Sequence, residues 1–298
     1  MNSIITFAIM FVVMVLPLSL AVGVVSLQRR HQRRSGRRSP LSEKRAYLPG
    51  EQLRMRIEDL GLEIESQVVL LLMVGPLALM VILLPRIQWS ILRLSWLDWA
   101  VLGIAIIACL FSIRKILQLR HERRKYEDGA RAEVYVAQQL DRLQAQDCLV
   151  LHDIPVGKFN IDHAVVGTHA VFAIETKSRR KVGKGKESAN VDYDGKLLQF
   201  PGWVETDPLD QARGQSKWLA EYLRGETGEP VAVIPVVCLP GWFVRSGKDA
   251  HRSDVRVINP KMTLSLLDTG GRPVLPNAQR IRIVTALYKL YPEQHADN

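Results

Sequence analysis

The 298-residue sequence is long enough for one or two domains with their own cores. It carries a net charge of +10 and three cysteines, Cys109, Cys148 and Cys238, which form neither a Cys-x-x-Cys pair nor a ligand spacing. That excludes a cysteine-built zinc site and a disulfide framework. Residues 1–125 hold 18 Lys and Arg against 8 Asp and Glu, while residues 126–298 hold 22 of each. The basic excess therefore belongs to the N-terminal part, and the high pI says nothing for nucleic-acid binding by the C-terminal part.

Three apolar segments come first, at 3–25, 66–85 and 97–113. Each approaches the roughly 20 residues needed to cross a bilayer core, and none shows the polar stripe of a core helix. The first lacks a basic leader and a cleavage site and runs into QRRHQRRSGRR, the pattern of an uncleaved anchor. The loop 26–65 carries ten Lys and Arg, including Arg29, Arg30, Arg33 and Arg34. The loop 86–96 carries only Arg86 and Arg93, and a basic run from Arg114 to Lys125 follows the third segment. The Lys/Arg bias predicts loop 26–65 and everything after about 114 in the cytoplasm, with Trp89, Trp96 and Trp99 at the outer interface. The implied partner is a lipid bilayer, and the implied location a cell inner membrane crossed several times. The Arg run reads as a topology signal rather than a ligand site.

From 126 the composition turns globular. Residues 129–144 carry a helical apolar stripe, Val134, Ala137, Leu140 and Leu143. Short β-rich runs follow at 148–154, 161–167 and 170–177. A basic stretch, SRRKVGKGKESAN, reads as a loop. Asp194 and Gly195 predict a two-residue hairpin turn. Then come a helix over 208–224 with Pro208 near its start, strands at 231–238 and 255–258, and a closing helix over 276–290. This order predicts an α/β domain with one mixed sheet flanked by helices, preceded by about three transmembrane helices. The domain plan is an anchor at 1–25, a basic cytoplasmic loop at 26–65, two spans within 66–113, the globular domain at 126–240 and an extension at 241–298.

If Thr168 and His169 form a two-residue turn, paired residue numbers sum to 337 and Asp162 falls opposite Glu175. Their Cβ atoms then lie about 5 Å apart on one face, with Lys177 on the same face two residues on. Opposed carboxylates destabilise a sheet unless something compensates, and a divalent cation such as Mg²⁺ does so. A lysine beside it can orient a water or offset charge on a phosphate. The plain alternative is a strand end with solvated charges. His163 points away from Asp162 by alternation, and His152, Trp203, Trp218 and Trp242 read as packing residues.

The stretch GARAEVYVAQQL … VLHDIPVGKFNIDHAVVGTHAVFAIETK resembles the nuclease-related domain, NERD, a branch of the PD-(D/E)XK nuclease superfamily with a restriction-endonuclease-like fold. Gly129, Glu133, Asp162, Glu175 and Lys177 match the family pattern. Asp207, Pro208 and Gln211 match a later helix start, with Asp in place of the usual Asn. The resemblance implies Mg²⁺ or Mn²⁺ held by Asp162, Glu175 and Glu133, helped by the Thr176 carbonyl. It implies Lys177 acting on the attacking water, Gln211 contacting substrate or fixing the site, and metal-assisted hydrolysis of a nucleic acid, DNA for preference. Arg179, Arg180, Lys181, Lys184 and Lys186 follow the motif and offer a phosphate grip. A non-catalytic nucleic-acid-binding or signalling module is the alternative from another class.

Overall fold

The computed structural model describes residues 46–83, 95–183, 187–268 and 271–292. The expected span at 3–25, Trp89, Lys184 and Lys186 lie outside them. The chain forms two compact units, one around residues 57–124 and one from residues 43–56 with 125–294.

Two long helices supply the first unit, α1 (Glu51–Leu83) and α2 (Trp96–Leu140). Their apolar windows have mean hydropathies of 2.0 and 2.2, and only 0% and 11% of them is buried. Leu70, Leu72, Ile104, Ile107 and Phe111 stand exposed. Both helices are long and apolar enough to cross a membrane, and neither is a buried core helix. Three spans were expected, and two candidates exist among the described residues. The expected helices over 97–113 and 129–144 are one helix, because Gly129 is the sole breaker between them and a lone glycine does not end a helix. Likewise α1 starts at Glu51, well inside the expected loop 26–65.

The second unit is α/β. Its larger sheet has the order β1-β2-β3-β7-β9, with β1 (Leu149–Pro155), β2 (Asn160–Val166), β3 (Val171–Thr176), β7 (Val233–Cys238) and β9 (Arg256–Ile258). β1, β2 and β3 are antiparallel; β3, β7 and β9 are parallel. On one face Leu219 and Leu223 of α3 (Asp207–Thr227) and Ile283 and Leu287 of α4 (Asn277–Lys289) join Ala164 and Ala173 in a core. On the other, Val136 and Leu140 of α2 cover Val165, Phe172 and Ile174. The segment 241–298, expected to complete the domain, contributes β9 and the core helix α4 to this layer.

A second sheet was not anticipated. Its order is β6-β5-β4-β8, from Asn190–Tyr193 (β4), Leu198–Phe200 (β5), Trp203–Glu205 (β6) and Phe243–Ser246 (β8). Two of these strands have four residues and the other two three, too short to give a periodic signal. The single mixed sheet of the sequence reading is therefore two sheets. The β4–β5 turn also differs. Tyr193 pairs with Leu198, so the loop has four residues rather than two. The Asp194 carboxylate accepts the amides of Lys196 and Leu197, closing it as an Asx turn around Gly195 at φ +100°.

Candidate active site

The β2–β3 turn decides the geometry. Gly167 N–H donates to the Ala170 carbonyl, and the observed pairs run from Val166 with Val171 to His163 with Ile174. Every pair sums to 337, as a turn at Thr168 and His169 requires. The regular ladder stops one step before Asp162 and Glu175. There the Asp162 carboxylate takes over, accepting the Thr176 amide at 2.7 Å. The strand edge thus holds Asp162 at the end of β3, beside Glu175.

All six residues of β3 are buried, so Glu175 lies in an apolar strand at 2% exposure. An ionised carboxylate there needs partners. Lys177 Nζ stands 2.5 Å from Glu175 Oε1 and donates to Gln211 Oε1 at 2.8 Å. Gln215 Nε2 donates to Glu175 Oε2 at 2.5 Å and to the Asn160 carbonyl at 3.2 Å. Glu133 of α2 is 5% exposed and interacts with both Glu175 and Lys177. Glu133, Asp162, Glu175, Lys177 and Gln211, picked from the sequence, therefore gather in one cluster.

Mutual repulsion marks the cluster. Burial pushes the Asp162 carboxyl well above the usual range, and Glu175 and Glu133 push it further, against the Thr176 amide and Lys177. Burial, then Asp153 and Glu175, raise Glu133 to about 8. Acids so shifted in one place are a mark of functional sites. Two buried side-chain atoms of the cluster, Glu133 Oε2 and Gln215 Oε1, have no hydrogen-bond partner among the described residues. Buried polar atoms are normally paired, so these atoms suit a ligand.

Two residues escaped the sequence reading. Gln215 interrupts the buried stripe Leu209, Ala212, Leu219, Leu223 of α3. A polar residue in an apolar helix face was its signal. Asp153 is fully buried and sits opposite Asp162 by the β1–β2 count, where pairs sum to 315. Extending the register argument one hairpin upstream finds it. Its backbone leaves the ladder at φ +48°.

The basic loop is less available than the sequence suggested. Arg179 is paired with Glu205, and Arg180 with Asp128. Lys181 is exposed, with Nζ 6.0 Å from the Trp242 ring centre. His163 is buried against His152, Nδ1 to Nδ1 at 2.9 Å, and Trp203, Trp218 and Trp242 pack on neighbouring rings.

Residues 128–240 match the family model of NERD, the nuclease-related domain. Neither a curated protein nor a solved structure matches the chain. The NERD match covers well under half of the sequence, and it contains all five clustered residues. Within it, no three His, Cys, Asp or Glu side chains among the described residues are spaced to hold a metal by themselves. The donor chemistry nonetheless fits a hard cation, since Mg²⁺ keeps several waters and takes one or two carboxylates. Glu133 Oε2 and Gln215 Oε1 are acceptors able to receive such waters, and extra positive charge relieves the crowding of Glu133, Asp162 and Glu175.

Proposed function

We propose that this protein is a membrane-anchored, metal-dependent nuclease of the PD-(D/E)XK type, hydrolysing DNA phosphodiesters at the cytoplasmic face of the inner membrane. The observation that carries the reading is the buried cluster of Glu133, Asp162 and Glu175, with Lys177 bridging Glu175 to Gln211. Asp162 and Glu175, with Glu133 and the Thr176 carbonyl, would hold Mg²⁺ or Mn²⁺, which when bound neutralises phosphate charge and acidifies a water. Lys177 orients the attacking water, and its charge faces the negative charge that grows on the phosphate oxygens. Gln211 fixes the Lys177 ammonium, and Gln215 fixes the Glu175 carboxylate. Lys181, Lys184 and Lys186 are the basic residues of the loop proposed to meet the nucleic-acid backbone, alongside Arg179 and Arg180 should those exchange their carboxylate partners for phosphate. The two apolar helices and the Arg-rich loop 26–65 support anchoring with the domain in the cytoplasm.

The test uses the full chain in detergent micelles with supercoiled DNA and a matched RNA. Cleavage of DNA is expected with Mg²⁺ or Mn²⁺ and not with chelator. Lys177→Ala should lower the rate by about 10²-fold or more while the melting temperature stays within a few degrees. Equal behaviour of the wild type and Lys177→Ala in every metal rejects the nuclease reading. If both then still bind DNA, the domain is a non-catalytic binding module.

A further inference from the structure

Residues 46–56 precede the apolar part of α1, yet they pack with the α/β unit. Ala46 and Tyr47 join its core, and the Tyr47 and Tyr291 rings meet edge to face at 5.7 Å. Gly50 adopts φ +70°, and a Cβ there would stand 3.3 Å from Ala130 Cα, so this turn lies against the backbone of α2 one turn before Glu133. Two carboxylates meet it. The Gln52 amide donates to Asp153 at 2.7 Å, and the Asn160 side chain donates to it at 2.8 Å. The Gly50 amide is near enough to Glu133 to counter part of the rise in its pKa, and Glu133 Oε2 has no hydrogen-bond partner among the described residues.

With a donor on each oxygen, Asp153 is no candidate ligand. Its left-handed backbone, rare outside glycine, asparagine and aspartate, turns its carboxylate toward the start of α1. We infer that Asp153 is a positioning residue which clamps residues 50–52 against the active site, so that the turn at Gly50 backs α2 at Ala130 and keeps Glu133, one turn further on, in place beside Asp162 and Glu175. The inference rests on the nuclease reading for its catalytic consequence. It also makes the site incomplete in any fragment that begins after α1. The match to NERD begins at residue 128 and contains none of residues 50–52.

The experiment compares full-length wild type, Asp153→Asn and Asp153→Ala in micelles by two readouts. In hydrogen exchange, Asp153→Ala should speed exchange of the amides in residues 50–54. In Mg²⁺ titrations of DNA cleavage, the half-saturating concentration should rise about 10-fold or more, as loss of an outer-shell partner does, with KM for DNA within twofold. Asp153→Asn keeps one acceptor oxygen and should fall between. Unchanged exchange, or an unchanged Mg²⁺ midpoint beside faster exchange, overturns the inference. A wild type that cleaves nothing rejects the nuclease reading alone. Mn²⁺ affinity, measured by the paramagnetic signal of free ion, then replaces the Mg²⁺ midpoint, and equal affinity in Asp153→Ala and wild type overturns the inference. If Asp153→Ala does not fold, Asp153→Asn carries the same tests.

Discussion

Glu133 carries the pH dependence of the cluster. Its carboxyl rises from 4.5 to about 8, first through burial and then through Asp153 and Glu175. A group whose folded value exceeds its free value stabilises the fold when protonated. That contribution is complete below about pH 4.5 and is lost as pH climbs through about 8. Asp162 shifts in the same direction. Metal-free protein should therefore melt at progressively lower temperature between pH 5 and 8.5, and added Mg²⁺ should restore more stability at the upper end than at the lower. A metal-free melting temperature that climbs across this window would contradict the buried, mutually repelling acids. Gln215 makes a second residue-scale case. Gln215→Ala leaves Glu175 Oε2 without its 2.5 Å donor in a buried strand, a loss of about 1–3 kcal/mol. Chemical unfolding should show that loss. An equal loss in a Glu175→Gln background would mean that the two side chains are not coupled.

At the scale of elements, the turn before α1 offers a sharp test. Gly50→Ala must place a side chain at φ +70° against Ala130, a cost of about 1–2 kcal/mol. Calorimetry of the Gly50→Ala chain should find its α/β unit destabilised by that order, and an unaltered transition would detach this turn from the unit. The same element shows where sequence stops being informative. The β2–β3 register was legible because a two-residue turn at Thr168 and His169, joining two continuous apolar runs, sets Asp162 against Glu175. Glu133 and Gln211 were legible only through the family pattern. Residues 50–52 were not, because their contribution is backbone amides, which no residue type announces. The second sheet was hidden for a related reason. Its strands of three or four residues rest on tertiary neighbours such as Trp242 and Leu209 rather than on alternation. The β4–β5 loop misled because Asp194 has two uses. It favours a tight turn with glycine, and it equally caps a four-residue loop with its carboxylate.

At the scale of the whole molecule, the proposed membrane anchoring gains an argument that charge does not supply. Residues 43–56 and 125–294 make one compact unit, and two ends of one folded unit must share a side of any bilayer. The chain between them then crosses an even number of times, which matches the two apolar helices α1 and α2. The Lys/Arg bias independently assigns loop 26–65 and the C-terminal domain to the same, cytoplasmic side. On the proposed anchoring, packing and charge point to the same side for the site, and Ser95, just ahead of α2, is expected on the opposite one. Cysteine labelling checks this with little background, since Cys148 and Cys238 are buried and Cys109, half-buried, lies within the apolar stretch of α2. In intact cells Ser95→Cys should react with a membrane-impermeant maleimide, and Lys217→Cys, exposed on α3, should react only after lysis. Labelling of Lys217→Cys in intact cells would invert the topology and remove the site from cytoplasmic DNA. Equal labelling of both before lysis would mean that α1 and α2 do not span the membrane, however apolar their surfaces.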